Sequence, residues 1–357
     1  MSATMEVPAL FYHGDYAADL EAAWADHVAP RKADAPTVVS LFAGCGGSSL
    51  GYSMAGFREL LAVEWDANAA ECLRANFPDV EVYHGDVTKL EGEEALYLTG
   101  LVPGQLDVLD GSPPCQGFST AGRRQTDDPR NGLFREYVRL LGVFKPRAFV
   151  MENVSGMVKG KMRLLFVEIL EELKKAGYRV AVRLLNAKYF GVPQSRERVI
   201  FVGVREDLGL EPSHPEPKTW PIPAKVAVRG LTREQREAVP QKDIAEKYVE
   251  WWKSIPPGDN ASALHESGTH FNVLAKLDPE RPCPTIVKSA SDHSFSSFVH
   301  WAEPRFIHVA EAMRFASFPD DFILTGEYKD RMSRIGNSVP PLLMRAVACN
   351  LRKILEA

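Results

Sequence analysis

The chain has 357 residues, 45% of them hydrophobic and 25% charged, with a net charge of −5. That is enough apolar material for one large domain and a smaller one, and the acidic balance confines any nucleic-acid contact to a local basic face. Five cysteines (Cys45, Cys72, Cys115, Cys283 and Cys349) stand singly, without a CxxC pair, which argues against a disulfide framework or a structural zinc and for a reducing compartment, the cytoplasm.

The N-terminus lacks a basic region followed by an apolar run, and no segment approaches the length of a membrane span. Residues 1–35 read as an extension. Leu20 and Trp24, spaced i, i+4, mark a short amphipathic helix packed on the surface of the main domain. A polar linker bounded by Pro30 and Pro36 closes it.

An alternating α/β pattern then begins. Val38–Phe42 is a strand that runs into the turn Ala43-Gly44-Cys45-Gly46-Gly47-Ser48-Ser49, with Ser as a helix N-cap. Glycines there let a ligand approach the backbone, and the helix N-terminus offers free N–H groups. Leu60–Asp66 is a second strand ending in acids, where a doubly wound sheet holds a nucleotide ribose. Trp65 beside it offers a stacking face. Residues 67–77 form a helix, Val82–Asp86 a third strand and Leu106–Asp110 a fourth.

The fourth strand ends at Asp110-Gly111-Ser112-Pro113-Pro114-Cys115-Gln116-Gly117-Phe118-Ser119. Two prolines fix φ and remove donors, so Cys115 is presented on a stiff turn at a strand's C-terminal end, where α/β sheets collect their chemistry. A rigidly held thiol suits covalent catalysis. A polar loop over residues 121–132 comes next, with Arg123, Arg124 and Arg130 suited to phosphate. Residues 133–144 are helical, and Ala148–Val154 is a fifth strand ending in Glu-Asn-Val. Leu165, Ile169 and Leu173 mark a helix closed by Gly177, and Val180–Leu184 alternates as a strand. Gln194-Ser195-Arg196-Glu197-Arg198 leads into the strand Val199–Val204.

From about 205 to 304 prolines cluster and the βα alternation lapses, so this reads as a loop-rich insert with Trp251 and Trp252 in its core. The helical pattern resumes at His308–Phe315, and the chain closes with Gly336-Asn337-Ser338-Val339-Pro340-Pro341 and a helix over about 342–355. The expected fold is a doubly wound, mostly parallel α/β sheet with a smaller second domain. Residues 36–204 form the main unit, 205–304 the insert, and 305–357 a segment that returns to the main unit.

These pieces, in this order, resemble the cytosine-C5 DNA methyltransferases over nearly all of the chain after residue 36. Leu41-Phe42-Ala43-Gly44-Cys45-Gly46-Gly47, Glu64-Trp65-Asp66 and Gly85-Asp86 are similar to the family's cofactor motifs. Ser112–Ser119 is similar to the nucleophile motif, Glu152-Asn153-Val154 to Glu-Asn-Val, and Gln194–Arg198 to Gln-x-Arg-x-Arg. Arg281-Pro282-Cys283-Pro284-Thr285 and Gly336–Pro341 resemble the last two motifs. Two departures, His308 for Thr and Phe315–Pro319 for Leu-Gln-Gly-Phe-Pro, lie outside the reacting groups.

The resemblance implies S-adenosyl-L-methionine as cofactor, in the Rossmann-like fold of methyltransferases dependent on it. Its site would comprise Phe42, Gly44, Gly46, Glu64 at the ribose, Trp65 on the adenine, Asp86 at the adenine amine, Pro113, Asn337 and Ser338. Cys115 would add to C6 of cytosine, because C5 alone is a poor nucleophile. Glu152 would hold N3 and the exocyclic amine, and Arg196 the base O2, with Arg196 and Arg198 as the cations that help ionise the thiol. Ser119, Arg123, Arg124 and Arg130 would meet DNA. The target base must be flipped out of the duplex to reach Cys115, and the insert would read the sequence.

The implied partners are double-stranded DNA and, in a modification system, a cognate restriction endonuclease, with the enzyme acting as a monomer. An RNA cytosine methyltransferase would carry Cys-Phe-Thr near its recognition region, which is not found, and a non-catalytic module would lack Cys115 or Glu152. A nicotinamide dehydrogenase would need a glycine where Ser49 stands.

Overall fold

The structure is a computed structural model that describes residues 12, 14–114, 132–158, 163–240, 244, 246–260, 275–288 and 298–357. In chain order its main elements are α1 (Tyr16–Val28), β1 (Thr37–Leu41), α2 (Gly47–Met54), β2 (Arg58–Glu64), α3 (Ala67–Asn76), β3 (Glu81–His84), α4 (Gly92–Thr99) and β4 (Val108–Gly111). Next come α5 (Gly132–Phe144), β5 (Ala148–Val154), α6 (Arg163–Lys175), β6 (Tyr178–Asn186), β7 (Gln194–Ser195) and β8 (Glu197–Arg205). The remainder holds α7 (Ala224–Ala227), α8 (Arg233–Glu237), α9 (Glu246–Ser254), β9 (Ala275–Lys276), β10 (Cys283–Pro284), β11 (Phe298–Val299), α10 (Val309–Phe315), α11 (Tyr328–Asn337) and α12 (Pro341–Leu355).

Seven strands form one sheet in the order β3-β2-β1-β4-β5-β8-β6. The pairings from β3 through β5 are parallel, whereas β8 runs antiparallel to both β5 and β6. The strand order reverses between β1 and β4, which opens a crevice at their carboxyl ends. The strands are apolar on both faces because helices cover both. Val39, Leu41, Leu109, Phe149 and Met151 face one layer, with Phe134, Tyr137 and Leu141 of α5 and Ile169 and Leu173 of α6. Val38, Val108, Ala148 and Val150 face the other, with Leu343, Met344 and Val347 of α12.

The last helix is thus part of the main layer. It approaches α2 closely enough that a Cβ at Gly51 would stand 2.6 Å from Met344 Cβ and 2.7 Å from the Pro341 carbonyl.

One local expectation changes. The helix after β1 begins at Gly47, capped by Gly46 in the left-handed region, so Ser48 and Ser49 are buried within the helix and neither is its N-cap. Ser49 Oγ instead donates to Glu59 Oε1 at 3.0 Å. The N-terminal helix lays one face on the main body and leaves the other in solvent. Tyr16, Leu20 and Ala23 are buried with Ile222, Ala224 and Ala227 in one cluster, and Tyr16 Oη donates to the Arg314 carbonyl at 3.1 Å. Trp24 is half-buried against that cluster.

In the 205–304 stretch, β10 pairs with β7 through Cys283 and Gln194. Leu277, Cys283 and Ile286 share the cluster that holds Ala43, Cys45 and Leu50. Trp251 and Trp252 are half-buried. Trp252 donates to the His300 carbonyl at 2.8 Å and lies under Lys276 Nζ, 4.1 Å from its ring centroid.

Candidate active site

Register builds the site. Leu41 of β1 lies opposite Gly111 of β4, and Gly111 opposite Met151 of β5. The Gly-rich turn, the Ser112-Pro113-Pro114 turn and Glu152 therefore leave the sheet side by side at the switch point. The antiparallel β8 begins at this same edge. Glu152 pairs with Ile200, so Arg198, two residues earlier, sits diagonally on the same face. Its Nε lies 2.6 Å from Glu152 Oε1, with the two side chains only 12% and 10% exposed.

Asn153 Nδ2 donates to the Pro113 carbonyl at 3.0 Å and braces the proline turn from the neighbouring strand. Tyr137 Oη reaches the carbonyls of Leu109 and Val150 at 3.2 and 3.1 Å and ties β4 to β5 from below. A Cβ at Gly111 would meet the Tyr137 ring at 2.8 Å, which is why glycine opens that turn. Cys115, Ser119, Arg123, Arg124 and Arg130 lie outside the described residues.

Arg196 is buried, and its two terminal amino groups donate to the carbonyls of Ile286 and Gly336, each at 2.8 Å. Burial and the neighbouring Arg198 push its pKa well down. Two of its N–H groups thereby tie three chain segments together inside the protein. The arginine that faces Glu152 is Arg198. Sequence spacing could not separate the two, because alternate residues of a strand share a face only while the strand continues, and the chain passes from β7 to β8 between them.

The stretches expected to bind the cofactor converge at the other side of the switch point. Phe42, Gly44 and Gly46 take φ of 57°, 59° and 95°, so the turn folds back on itself at the end of β1. A Cβ at Gly46 would meet the Phe77 ring at 2.5 Å, and one at Gly47 the Val339 carbonyl at 2.4 Å. The turn is thereby wedged between α3 and the Gly-Asn-Ser stretch.

Glu64 is buried. Its Oε2 accepts the Gly44 N–H at 2.7 Å and its Oε1 the Asp66 N–H at 2.8 Å. Burial raises its pKa, opposed by those two N–H donors and by Arg334. One lone pair on each oxygen is used this way, which leaves the carboxylate able to accept a hydroxyl. Trp65, between the two acids, is 79% exposed and presents an open aromatic face.

Asp86 is exposed, accepts the Thr88 N–H at 2.9 Å, and is held below the usual carboxylate range by Thr88. Ser338 is buried beside Cys45, Oγ to Sγ 3.1 Å, whereas Asn337 is exposed. Burial pushes the Cys45 thiol up to about 12, so Cys45 is a packing group and not a nucleophile. Among the described residues no group of His, Cys, Asp or Glu is arranged to hold a metal.

The arrangement joins a stacking face, a buried carboxylate and a Gly-rich turn to a second carboxylate paired with arginine across the switch point. The profile of the C-5 cytosine-specific DNA methylases matches residues 36–353. The chain belongs to that family. It is a DNA cytosine-C5 methyltransferase.

The type II methyltransferase M1.HphI of Haemophilus parahaemolyticus is 34% identical over 328 residues, covering 87% of this chain and 85% of the relative. The type II methyltransferase M.DdeI of Desulfomicrobium norvegicum is 32% identical over 370 residues and covers 87% of each. Among solved structures, a protein described as a DNA modification methyltransferase encoded within a prophage of E. coli superposes with a TM-score of 0.75 at 26% identity. It covers 90% of this chain and all of that one. The methyltransferase from Entamoeba histolytica, TM-score 0.67 at 16% identity, shares the fold.

Sequence reasoning missed two residues of this site. Asn153 lies within the Glu-Asn-Val motif, but its bond to Pro113 depends on strand neighbours. Arg334 carried no signal beyond its place one helical turn before Ser338.

Proposed function

We propose that the methyltransferase acts on a cytosine flipped out of double-stranded DNA, through a covalent bond from Cys115 to C6. The observation that carries this reading is the Glu152–Arg198 pair at the switch point beside the braced proline turn that leads to Cys115. Glu152 holds N3 and the exocyclic amine and favours addition by sharing a proton with N3, and Arg198 orients Glu152 and supplies the cation. Cys115 adds to C6 as the thiolate while N3 gains a proton, and the C4–C5 bond becomes an enamine nucleophilic at C5. Once C5 has taken up the methyl group, a base removes the C5 proton, the C5–C6 double bond re-forms and Cys115 is expelled.

Glu64, Trp65, Gly44, Asp86 and Asn337 fit S-adenosylmethionine, because an acceptor carboxylate, an open aromatic face and the open backbone at Gly44 lie together. When bound, that cofactor supplies an electrophilic methyl group. Ser119, Arg123, Arg124 and Arg130 serve the DNA backbone, and base reading resides in residues 205–304. The relatives named type II methyltransferases support a modification role beside an endonuclease of the same specificity. The enzyme works in the cytoplasm, where its DNA is, as a monomer; among the described residues no helix is long and apolar enough to cross a membrane.

Bisulfite sequencing of plasmid DNA from cells expressing the chain identifies the target site. Duplex DNA with 5-fluorocytosine at that site, supplied together with S-adenosylmethionine, should then form an adduct that survives denaturation, and Cys115→Ser should abolish it while DNA binding remains. Absence of the adduct with active wild-type enzyme refutes the covalent mechanism.

A further inference from the structure

Arg334 lies on α11, one turn before the Gly-Asn-Ser stretch and far in sequence from the cofactor strand. Its side chain is about nine-tenths buried, and its Nη2 stands 3.0 Å from Asp66 Oδ2. Asp66 uses its other oxygen to cap α3, accepting the Ala69 N–H at 3.0 Å. The backbone N–H of the same aspartate donates to Glu64 Oε1 at 2.8 Å, and Glu64 Oε2 accepts from Gly44. At its other end Arg334 accepts the Ser338 hydroxyl on its carbonyl at 2.7 Å. One residue thus binds the C-terminal cofactor stretch by its backbone and the end of β2 by its charge.

The Glu64-Trp65-Asp66 stretch has an awkward composition. Two acids, one of them buried, flank an indole that is almost wholly in solvent. Without a counter-charge the acids repel each other and draw toward water, which would turn the indole with them. The Arg334 guanidinium opposes both effects. It helps keep Glu64 ionised against burial, and with the Ala69 N–H it outweighs burial at Asp66 and holds that group below the usual carboxylate range. Its own Nε–H is buried without an acceptor. A sequence carries such a cost where the charge serves a neighbour.

We propose that Arg334 is a positioning residue for the cofactor: through Asp66 it fixes the Glu64-Trp65-Asp66 strand end, so that the acceptor carboxylate and the stacking face are in place before S-adenosylmethionine arrives. The proposal rests on the reading of Glu64 and Trp65 as the cofactor site. Preorganisation of this kind shows in affinity, because the free protein no longer has to order the segment on binding.

The test measures calorimetric affinity for S-adenosylhomocysteine, without DNA, together with KM for S-adenosylmethionine and kcat. Arg334→Gln should weaken binding and raise KM about tenfold, which corresponds to about 1.4 kcal/mol, and leave kcat at saturating cofactor within about threefold. Arg334→Lys should recover most of the affinity. Asp66→Asn retains the size and the cap acceptor and should match Arg334→Gln, and the two changes together should cost no more than either alone.

Unchanged affinity in both Arg334→Gln and Asp66→Asn overturns the proposal, as does an equal fall in kcat that lysine does not rescue. Trp65→Ala, at an exposed position, separates the two readings. If it too leaves affinity unchanged, the cofactor site itself is misplaced. If it weakens binding while Arg334→Gln does not, only the positioning role fails.

Discussion

Replacing Arg198 by methionine keeps the length and apolar stem of the side chain and deletes its charge. In the native protein Arg198 Nε and Glu152 Oε1 are 2.6 Å apart at about one-tenth exposure, so the change leaves Glu152 buried without its partner. Two unit charges about 4 Å apart at an effective dielectric of about 20 attract by about 4 kcal/mol. Removal of one member of a buried pair costs about 3–5 kcal/mol, chiefly because the other charge stays desolvated. Neither side chain is wholly removed from solvent, at 12% and 10% exposure, so we expect the lower end, about 3 kcal/mol.

Glu152→Gln in the Arg198→Met background removes the stranded charge and should return most of that loss. Urea unfolding of wild type, both single variants and the double variant gives the cycle directly. A coupling below about 1 kcal/mol, or an Arg198→Met protein as stable as wild type, would refute the view that the pair is a buried ionic unit. Both single variants should also lose methyl transfer, Glu152→Gln by about 10²–10⁴ in rate.

Gly51→Ala forces a Cβ to within 2.7 Å of the Pro341 carbonyl and 2.8 Å of the Arg345 nitrogen, backbone atoms that cannot swing aside. Urea unfolding should show a loss of about 1–3 kcal/mol, and an unchanged midpoint would contradict the close α2–α12 contact. Burial raises Glu59 from 4.5 to about 7. A carboxyl that holds its proton more tightly when folded contributes fully below pH 4.5 and loses that contribution as pH rises through about 7, here about 3 kcal/mol. Burial also pushes Asp110 well up, with the same sign. Glu59→Gln should therefore flatten, without abolishing, the fall in unfolding free energy between pH 5 and pH 8, and a variant with the wild-type slope would show that Glu59 is ionised in the native state.

The sequence by itself determined the alternation of strands and helices. The apolar runs Val38–Leu41, Leu60–Val63 and Ala148–Met151 and the amphipathic spacing of Leu165, Ile169 and Leu173 are local signals, legible without partners. The motif order also carried the family and its chemistry, because glycines at a turn and prolines before a cysteine act through their own backbones. Those signals do not encode which side chain meets which across the sheet.

Tertiary structure alone decided that Arg198 and not Arg196 faces Glu152, a consequence of the antiparallel register of β8 against β5. It decided that Asn153 braces Pro113 and that Arg334 reaches Asp66 from the far end of the chain. It also decided that Tyr16, Leu20 and Ala23 of the N-terminal helix pack with α7, Tyr16 on the Arg314 carbonyl. These contacts join residues whose neighbours in sequence give no hint of them. Their energy lies in pairing and burial, which exist only after the chain has folded.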